Sequence, residues 1–403
     1  MADDTRRNDV RARIPRRKDD DHTEDAAAER RAFLAERTGA ELTHVGRASI
    51  DPAVTQGNIE NYIGCAQVPI GVAGPLRIRG EHIQDEDVYV PLATTEGTLA
   101  ASYNRGMRIL TEAGGVKTTI HERYMQRAPV FHFDDARGAR NFRRWIETHE
   151  REIKSAAQAS SSIVKLSHFE TYAVGPMLHV RFNFETGDAA GQNMAGKAAD
   201  AACRWIAANH PGGARYTLSG AMDTDKKHSQ LNVLHSRGAR VIAEARIPDA
   251  LLRERVGTSA AELFRARLNS FAGSVMAGSA NNGMHAANAL AALFIATGQD
   301  AANVAESHAA MTYVRLEDDP ETGEPAYYWS ITLPSLIVAT FGGGTGLPTQ
   351  SECLQLLGCR GAGKVGRFIE ICAATVLAGE ISLAGAVVAG DWVESHEKLG
   401  RNR

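Results

Sequence analysis

Hydrophobic and polar residues alternate most regularly in the middle of the chain. The apolar positions of this stretch are Leu178, Val180, Phe182 and Phe184. A period of two is typical of a half-buried strand. Apolar runs over 130–133, 163–172 and 215–218 predict three more strands, and amphipathic spacing predicts helices over 135–157 and from 187 to about 208. The order β-α-β-β-α-β is the split ferredoxin-like motif, so residues 129–218 are predicted to form a compact inserted domain.

The rest of the chain follows a helical pattern that is rich in glycine. Strands are predicted over 88–91 and 327–338, and helices over 98–112, from a Thr258 cap to 269, over 285–297 and over 365–396. The segment 371–389 approaches the length of a membrane span, but Glu380, Ser382 and several small residues favour a buried core helix. The remaining divisions are therefore a helical part at 31–64 and a large helix-rich domain made of 65–128 and 219–403.

Charge is concentrated at the N-terminus, where 17 of the first 30 residues are Asp, Glu, Lys or Arg. Such a stretch buries too little apolar surface to offset its ordering entropy, so residues 1–30 are predicted to be a disordered arm, with helical spacing only from residue 24. The net charge of −3 offers no global field for nucleic acid or anionic lipid. Five irregularly spaced cysteines and the lack of an apolar leader indicate a cytoplasmic protein, and no metal site is predicted.

Two glycine-rich stretches bear on phosphate binding. Residues 358–365 read GCRGAGKV, but Val365 stands where a phosphate-binding loop needs Ser or Thr, so a loop between helices is the better interpretation. No G-x-G-x-x-G follows a strand, and the usual dinucleotide fingerprint is therefore missing. The turn at 186–193 is the best candidate for an unrelated cofactor site, because free N–H groups at a helix start favour phosphate. The same residues could simply cap a helix.

A dense charge cluster, Asp225, Lys226 and Lys227, follows the inserted domain. Such a cluster is usually a solvated turn. An ammonium placed against a thioester carbonyl would, however, stabilise the oxyanion that hydride attack creates. Glu96 and Asp300, if they lie nearby, could supply a proton and tune the lysine.

Structural alternatives exist for the other candidate groups. Glu96 follows a threonine ahead of a helix, which is also a capping arrangement. His285 and His396 are lone histidines, and most such residues are structural or exposed. A packing role is less expected for His396, which lies close to the C-terminus.

Several short segments together indicate a family. They read ENYIG at 60–64, VPIGVAGPL at 68–76, ATTEG at 93–97, TDKK at 224–227, HAAN at 285–288, GQD at 298–300 and GGGT at 342–345. In sequence and order they resemble the catalytic portion of the 3-hydroxy-3-methylglutaryl-coenzyme A (HMG-CoA) reductase family, over residues 60–396, and its eukaryote-like class most closely. The resemblance implies an α/β (α+β) fold, in which a large helix-rich substrate domain carries an inserted ferredoxin-like βαββαβ cofactor domain.

The same resemblance implies a role for each matching residue. Lys226 would stabilise the thioester and aldehyde oxyanions, and Glu96 would donate a proton to the aldehyde. Asp300 would set the protonation of both, and His396 would protonate the departing CoA thiolate. The residues matched to contacts with CoA or the acyl group are Ser102, Asn104, Arg105, Arg127, Ser219, Asp225, Lys227, His285 and Asn288. The residues matched to the nicotinamide cofactor are Asp188, Gly191, Asn193, Ser161 and Ser162.

The family resemblance also carries expectations about cofactors and partners. NADPH is the expected cofactor, with NADH as an option, and coenzyme A is part of the substrate. Because residues 60–64 resemble the family's dimerisation segment, a homodimer or higher homo-oligomer with shared active sites is expected, without a membrane anchor. A mobile C-terminal tail carrying His396 is expected to close over the substrate.

Three departures from the family pattern leave the substrate and cofactor open. Leu268 is matched to a lysine that pairs with the distal carboxylate of the substrate, and the adjacent Arg267 would point elsewhere on a helix. Ser162 replaces an arginine expected near the cofactor phosphate, and Ala190 and Gln192 replace methionines of the cofactor turn. Three alternatives remain. The chain reduces HMG-CoA to mevalonate for isoprenoid synthesis, or it is a paralogue that reduces another acyl thioester, or it is a catalytically silent acyl-CoA scaffold. The complete catalytic set argues against the scaffold.

Overall fold

The computed structural model describes residues 13–279 and 281–390. Within them the strands are β1 (Ile70–Arg79), β2 (Glu86–Ala93), β3 (Val116–Arg127), β4 (Val130–His132), β5 (Lys165–Val174), β6 (Met177–Glu185), β7 (Arg215–Thr217), β8 (Gly238–Pro248), β9 (Met311–Asp318) and β10 (Pro325–Leu336). The helices are α1 (Glu24–Thr38), α2 (Leu99–Glu112), α3 (Ala136–Thr148), α4 (Glu150–Gln158), α5 (Gln192–Asn209), α6 (Gln230–His235), α7 (Asp249–Val256), α8 (Ala260–Met276), α9 (Ala286–Thr297), α10 (Val304–Ser307), α11 (Pro348–Leu356) and α12 (Val365–Ala389).

The inserted domain has strands β4 to β7 in one antiparallel sheet, in the order β7-β4-β6-β5. Helices α3, α4 and α5 connect them, so the domain is ferredoxin-like and the predicted motif is confirmed. The apolar residues of β6 are buried in its core. Arg181 and Asn183, on the opposite face of β6, are buried as well. The predicted half-buried strand is therefore covered on both faces where it meets the large domain.

Strand β3 connects the sheets of the two domains. Most of β3 pairs with β8, while its last residues, Met125 to Arg127, pair with β6 of the inserted domain. In the large domain β1 pairs with β2 and β3, and β10 lies between β8 and β9. Arg127, the last residue of β3, therefore lies where the two domains meet.

Helix α12 runs through the core of the large domain, where Phe368 and Leu377 are fully buried. Gly106 of α2 packs so closely against the backbone of Ala378 that a Cβ atom would not fit. Among the described residues, α12 is the one helix long and apolar enough to cross a membrane, but 78% of its most apolar window is buried inside the protein. The predicted buried core helix is confirmed.

The helix indicated by the spacing from residue 24 is present. Helix α1 starts at Glu24, and its Arg30 is only 1% exposed. The Arg30 guanidinium donates to the carbonyls of Pro15 at 3.0 Å and Tyr62 at 3.1 Å. Disorder over residues 1–30 stays a prediction, and residues 1–12 lie outside the described part. One arginine that satisfies several backbone carbonyls ties this charged segment to the domain.

The prediction of a helical remainder is wrong at β8 and β9, which together with β10 form half of the large domain's sheet. The helix predicted over 135–157 is two helices, α3 and α4, because His149 leaves the helical backbone region between them. Ser259, rather than Thr258, caps α8 in a reciprocal capping box with Glu262. The part at 31–64 is mainly loop after α1 ends at Thr38.

Candidate active site

Lys226 and Asp300 form an ion pair at the surface of the large domain. The Lys226 Nζ lies 2.7 Å from Asp300 Oδ2, and the two side chains are 44% and 41% exposed. The hydrogen bond to Asp300 is the largest cause of a pKa of Lys226 that is raised above its ordinary value. The lysine is therefore held as an ammonium that a ligand can reach, as stabilisation of an oxyanion requires.

The loop at 219–227 holds Lys226 in an unfavourable backbone conformation. Ala221, Thr224 and Lys226 have φ angles of 65°, 53° and 55°. This left-handed region costs a non-glycine residue roughly 1–2 kcal/mol, so the surrounding contacts must impose it. Strain of this kind is concentrated at ligand-binding and catalytic loops.

Arg127 and Asp223 lie at the base of this loop. Arg127 Nη1 is 2.9 Å from Asp223 Oδ2, and the Asp223 side chain is only 3% exposed. The Ser219 hydroxyl donates to the same carboxylate oxygen at 3.5 Å. Lys227 is exposed, and its ammonium donates to the Asp225 carbonyl at 3.0 Å. The residues matched to acyl-group contacts therefore lie on or against the Lys226 loop.

A buried ion pair, Arg237 with Glu306, supports the loop from below. The Arg237 Nη2 lies 2.7 Å from Asp225 Oδ1, and its Nε lies 3.0 Å from Glu306 Oε2 without the alignment of a hydrogen bond. Glu306 Oε1 accepts the backbone amide of Lys226 at 3.1 Å. Burial raises the pKa of Glu306 to about 7, while the Arg237 charge opposes the rise.

Sequence reasoning missed Asp223, Arg237 and Glu306. Each is a charged residue that the fold buries almost completely. Buried charges are expected only where they are paired, but their partners are distant in sequence. The topology was needed to bring them together.

The candidate cofactor turn, residues 186–191, joins β6 to α5. Gly191 has a φ of 87° and packs against Thr186 with no room for a Cβ atom, while Asn193 is exposed in the first turn of α5. A Cβ atom at Gly187 would lie 3.1 Å from Ile163, so the Ser161 and Ser162 loop is adjacent to this turn. The residues matched to the cofactor are therefore brought together around the start of one helix, a favourable position for phosphate oxygens.

Gln192 links this turn to the Lys226 loop. Its Nε2 donates to Asp225 Oδ1 at 3.1 Å, and its carbonyl accepts from Arg127 Nη2 at 3.3 Å. Gln192 thus connects the start of α5 directly to the acyl-group residues. The sequence indicated Gln192 only as the replacement of a family methionine.

Asp188 makes a contact between the domains that was not predicted. Its carboxylate accepts the backbone amides of Gly363 at 2.8 Å and Val365 at 3.1 Å, at the start of α12. A carboxylate at a helix N-terminus interacts favourably with the helix dipole. The loop at 358–365 therefore receives a carboxylate of the inserted domain, and the interpretation of this segment as a loop between helices is confirmed.

The residues matched to CoA contacts lie along α2. The Ser102 hydroxyl is 3.0 Å from the Ser382 hydroxyl of α12, and Arg105 donates to the Ser382 hydroxyl at 3.0 Å and to its carbonyl at 2.9 Å. Asn104 accepts the amide of Gly74 at 3.0 Å. These three residues form one group between α2, α12 and β1.

His285 and Asn288 lie at the start of α9, close to the same helices. Their Nδ1 and Nδ2 atoms are 3.0 Å apart, and the His285 ring stacks on Tyr103 with 4.8 Å between centroids. Burial lowers the pKa of His285 to about 4, so the ring is neutral at physiological pH. The fully buried Glu380 accepts the amides of Met284 and His285, each at 2.7 Å.

Glu96 is not brought to Lys226 by the described contacts. The Glu96 amide donates to the Thr94 hydroxyl at 3.0 Å, and no contact among the described residues joins Glu96 to Lys226 or Asp300. His396 and the predicted mobile tail lie outside the described residues.

Leu268 is 52% exposed on α8, whereas the adjacent Arg267 is 6% exposed and donates to the Asn282 carbonyl at 2.6 Å. Arg267 thus points into the protein, as its helical position predicts, and does not present a cation beside Leu268.

Known proteins resemble this chain over most of its length. The family model for hydroxymethylglutaryl-coenzyme A reductase matches residues 26–401. The 3-hydroxy-3-methylglutaryl-coenzyme A reductases of Aeropyrum pernix and Pyrococcus horikoshii are 41% and 42% identical, over 94% and 92% of this chain and 90% and 91% of their own lengths. The Drosophila melanogaster enzyme is 41% identical over 85% of this chain and 37% of its own length.

The fold is shared with a solved structure of lower identity. The class II 3-hydroxy-3-methylglutaryl-CoA reductase of Streptococcus pneumoniae, solved bound to NADPH in open conformations, has a TM-score of 0.67 and 20% identity, covering 90% of this chain and 97% of that one. Fold, family match and sequence relatives together define an oxidoreductase. The chain belongs to the hydroxymethylglutaryl-coenzyme A reductase family.

Proposed function

We propose that this chain reduces HMG-CoA to mevalonate and free coenzyme A, with two molecules of NADPH as the hydride source. The Lys226–Asp300 ion pair carries the proposal, because it provides an accessible cation whose pKa is raised, in a chain of this family. Reduction of a thioester to an alcohol creates an oxyanion at each hydride transfer. An ammonium fixed next to the reacting carbonyl would stabilise both oxyanions.

The other roles are assigned from position and chemistry. Arg127, Ser219 and Lys227 would bind the acyl group, because they present donors on or against the Lys226 loop. Ser102, Asn104 and Arg105 would contact coenzyme A from α2. Glu96 would donate a proton to the aldehyde oxygen, and His396 would protonate the CoA thiolate.

The cofactor is assigned to the start of α5. When bound, NADPH supplies the hydride. Asn193 and the amides that follow Gly191 would bind its polar groups, and Ser161 and Ser162 would lie beside it. Ser161 and the exposed Ser162 present no cation to a 2'-phosphate, so the preference for NADPH over NADH would have to come from elsewhere in the site.

Shared active sites in a homodimer, in the cytoplasm, complete the proposal. Within one chain the CoA group at α2 and the Lys226–Asp300 pair are separate, and no described contact joins Glu96 to that pair. A second subunit that brings the two groups together would account for this separation.

The direct test is oxidation of NADPH and of NADH with HMG-CoA and with a panel of other acyl-CoAs, with identification of the product. Lys226→Met should reduce kcat by about 10²–10³-fold or more, because it removes the cation that stabilises the oxyanion. Lys117→Met is a matched control, since Lys117 is 71% exposed and its ion pair with Glu244 lies outside the site.

Mevalonate formation that depends on Lys226 would support the proposal. Turnover with another acyl-CoA and not with HMG-CoA would identify a paralogue, which Leu268 and the inward-pointing Arg267 would then explain. Binding of acyl-CoA without oxidation of either cofactor would favour the scaffold.

A further inference from the structure

We propose that Glu306 and Arg237 are positioning residues that fix the Lys226 ammonium against Asp300. The proposal rests on the proposed function, because it assumes that Lys226 acts on the reacting carbonyl. Neither side chain touches the substrate region directly, since both are fully buried. They act through the backbone of the Lys226 loop.

One short segment holds Lys226 at two points. Asp300, just before the 3-10 turn Ala301–Asn303, binds the Lys226 ammonium at 2.7 Å. Glu306, in the following helix α10, accepts the Lys226 backbone amide at 3.1 Å. Two anchors from one rigid segment define both the position and the direction of the lysine side chain.

The loop needs such anchors because its backbone conformation is unfavourable. Three non-glycine residues between 221 and 226 have positive φ angles, and Lys226 is one of them. A conformation of this kind persists only where several surrounding contacts impose it. Without the Glu306 acceptor, the Lys226 peptide is free to return to an ordinary conformation, which would turn the side chain away from Asp300.

Arg237 connects the anchor to the rest of the loop and to the domain junction. It pairs with Glu306 Oε2 at 3.0 Å and with Asp225 Oδ1 at 2.7 Å. Its Nη1 donates to the carbonyl of Gln126, near the end of β3, at 3.0 Å. The strand that joins the two domains therefore supports the Lys226 loop through one guanidinium.

Asn232 completes the network from a third element, α6. Its Nδ2 lies 3.4 Å from Glu306 Oε2, and its Oδ1 accepts the Thr224 hydroxyl at 2.5 Å. Thr224, which also has a positive φ, is thus tied to Glu306 through Asn232, while Lys226 is tied to it directly. The Glu306 carboxylate thus has three partners, Lys226, Arg237 and Asn232. A charge with a purely structural role would need only one of them, so we describe Glu306 as a clamp on the loop.

The test compares Glu306→Leu, Arg237→Met and the double variant E306L/R237M in the full-length protein, because leucine, unlike glutamine, removes the oxygen that accepts the Lys226 amide. The double variant removes both buried charges together, so it avoids an unpaired charge and should fold better than either single variant. We expect kcat with NADPH and HMG-CoA to fall by about 10–100-fold in all three, because a small misplacement of a catalytic group has effects of this size. KM for NADPH should change by less than about threefold, since a loss confined to the chemical step leaves ground-state binding largely unchanged.

The pH profile of kcat distinguishes a positioning role from a simple loss of protein stability in the variants. Asp300, Asp225 and Glu306 are the charges that raise the pKa of Lys226. If the clamp holds the lysine against Asp300, the alkaline limb of kcat should move to lower pH in E306L, because the ammonium loses its protonated state earlier. Glu306→Asp, which keeps the charge, should recover part of both kcat and the alkaline limb.

Glu147→Gln is the matched control, because Glu147 forms an exposed ion pair with Arg143 on α3, outside the site. A folded double variant with the kcat and pH profile of the wild type would overturn the positioning role. Failure of the wild-type protein to turn over HMG-CoA would instead overturn the proposed function, so the two failures are distinguishable.

Discussion

At the scale of single residues, the Asp300 carboxylate determines how the Lys226 ammonium titrates. Asp300→Asn keeps the shape of the side chain but removes the negative charge 2.7 Å from Nζ. Because Asp300 is the largest cause of the raised pKa of Lys226, that pKa should fall in the variant. Activity that requires the ammonium is lost as pH rises through this pKa, so the alkaline limb of kcat should move to lower pH.

Measurement of kcat from neutral to alkaline pH in wild type and Asp300→Asn checks this prediction. Asp318→Asn is a suitable control, because this residue ends β9 and is not part of the site. An unchanged alkaline limb together with a lower kcat would mean that Asp300 acts on the substrate rather than on Lys226.

How much of the site could be predicted from sequence depended on the type of residue. The Asp225–Lys227 segment and the GQD segment that ends at Asp300 are distinctive motifs, and the structure brings Lys226 and Asp300 together. Arg237 and Glu306 belong to no such motif. Arg237 comes immediately before β8 and Glu306 lies in α10, so their pairing depends on the fold bringing these two elements together beneath the loop, which spacing along the chain does not reveal.

At the scale of elements, the crossing of α2 and α12 depends on close backbone contact. A Cβ atom at Gly106 would overlap the carbonyl of Ala378, and this part of the backbone cannot easily move away. Gly106→Ala should therefore destabilise the protein by about 1–3 kcal/mol, the usual cost of overpacking a core. Urea denaturation of the purified protein measures the change.

Gly273→Ala provides the opposite case within the same chain. Gly273 lies inside α8 with open space where a Cβ atom would be placed. Alanine there should raise the free energy of unfolding by about 0.5–1 kcal/mol through its better helix propensity. Equal effects from the two substitutions would show that the α2–α12 contact is not tightly packed.

Elements were predictable where one pattern dominated. The alternation in β6 led to the inserted domain and its topology, because a period of two is seldom produced by a helix. Strand β8 was missed, since its alanines, arginines and glutamate are good helix formers and only pairing with β3 and β10 makes it a strand. Strand β9 lies at the sheet edge with both faces partly exposed, so its alternation is weak.

At the scale of the whole molecule, helix α9 separates two groups of predicted site residues. His285 and the α2 residues lie near its start, and Asp300 follows its end. A helix of 12 residues is about 18 Å long. A single subunit therefore presents the CoA group and the Lys226–Asp300 pair at different places, and the proposed dimer would join one group from each subunit.

Subunit complementation tests this sharing. Lys226→Met and Arg105→Gln should each be nearly inactive alone, the first through the oxyanion and the second through coenzyme A binding. When sites are shared, a mixed dimer has one site with both defects and one with neither. Co-expression in equal amounts should then restore about a quarter of wild-type activity, because half of the randomly formed dimers are mixed and each has one intact site of two.

Co-expression of Lys226→Met with Asp300→Asn is the matched control. These two residues contact each other within one subunit, so every site in their mixed dimer contains one defect and no activity should be regained. Separately tagged subunits allow the mixed dimers to be purified, and light scattering confirms that each particle contains two subunits. Recovery in the first pair no greater than in the control pair would show that each subunit carries a complete site, and α9 would then have to be bridged by a substrate extended along one chain.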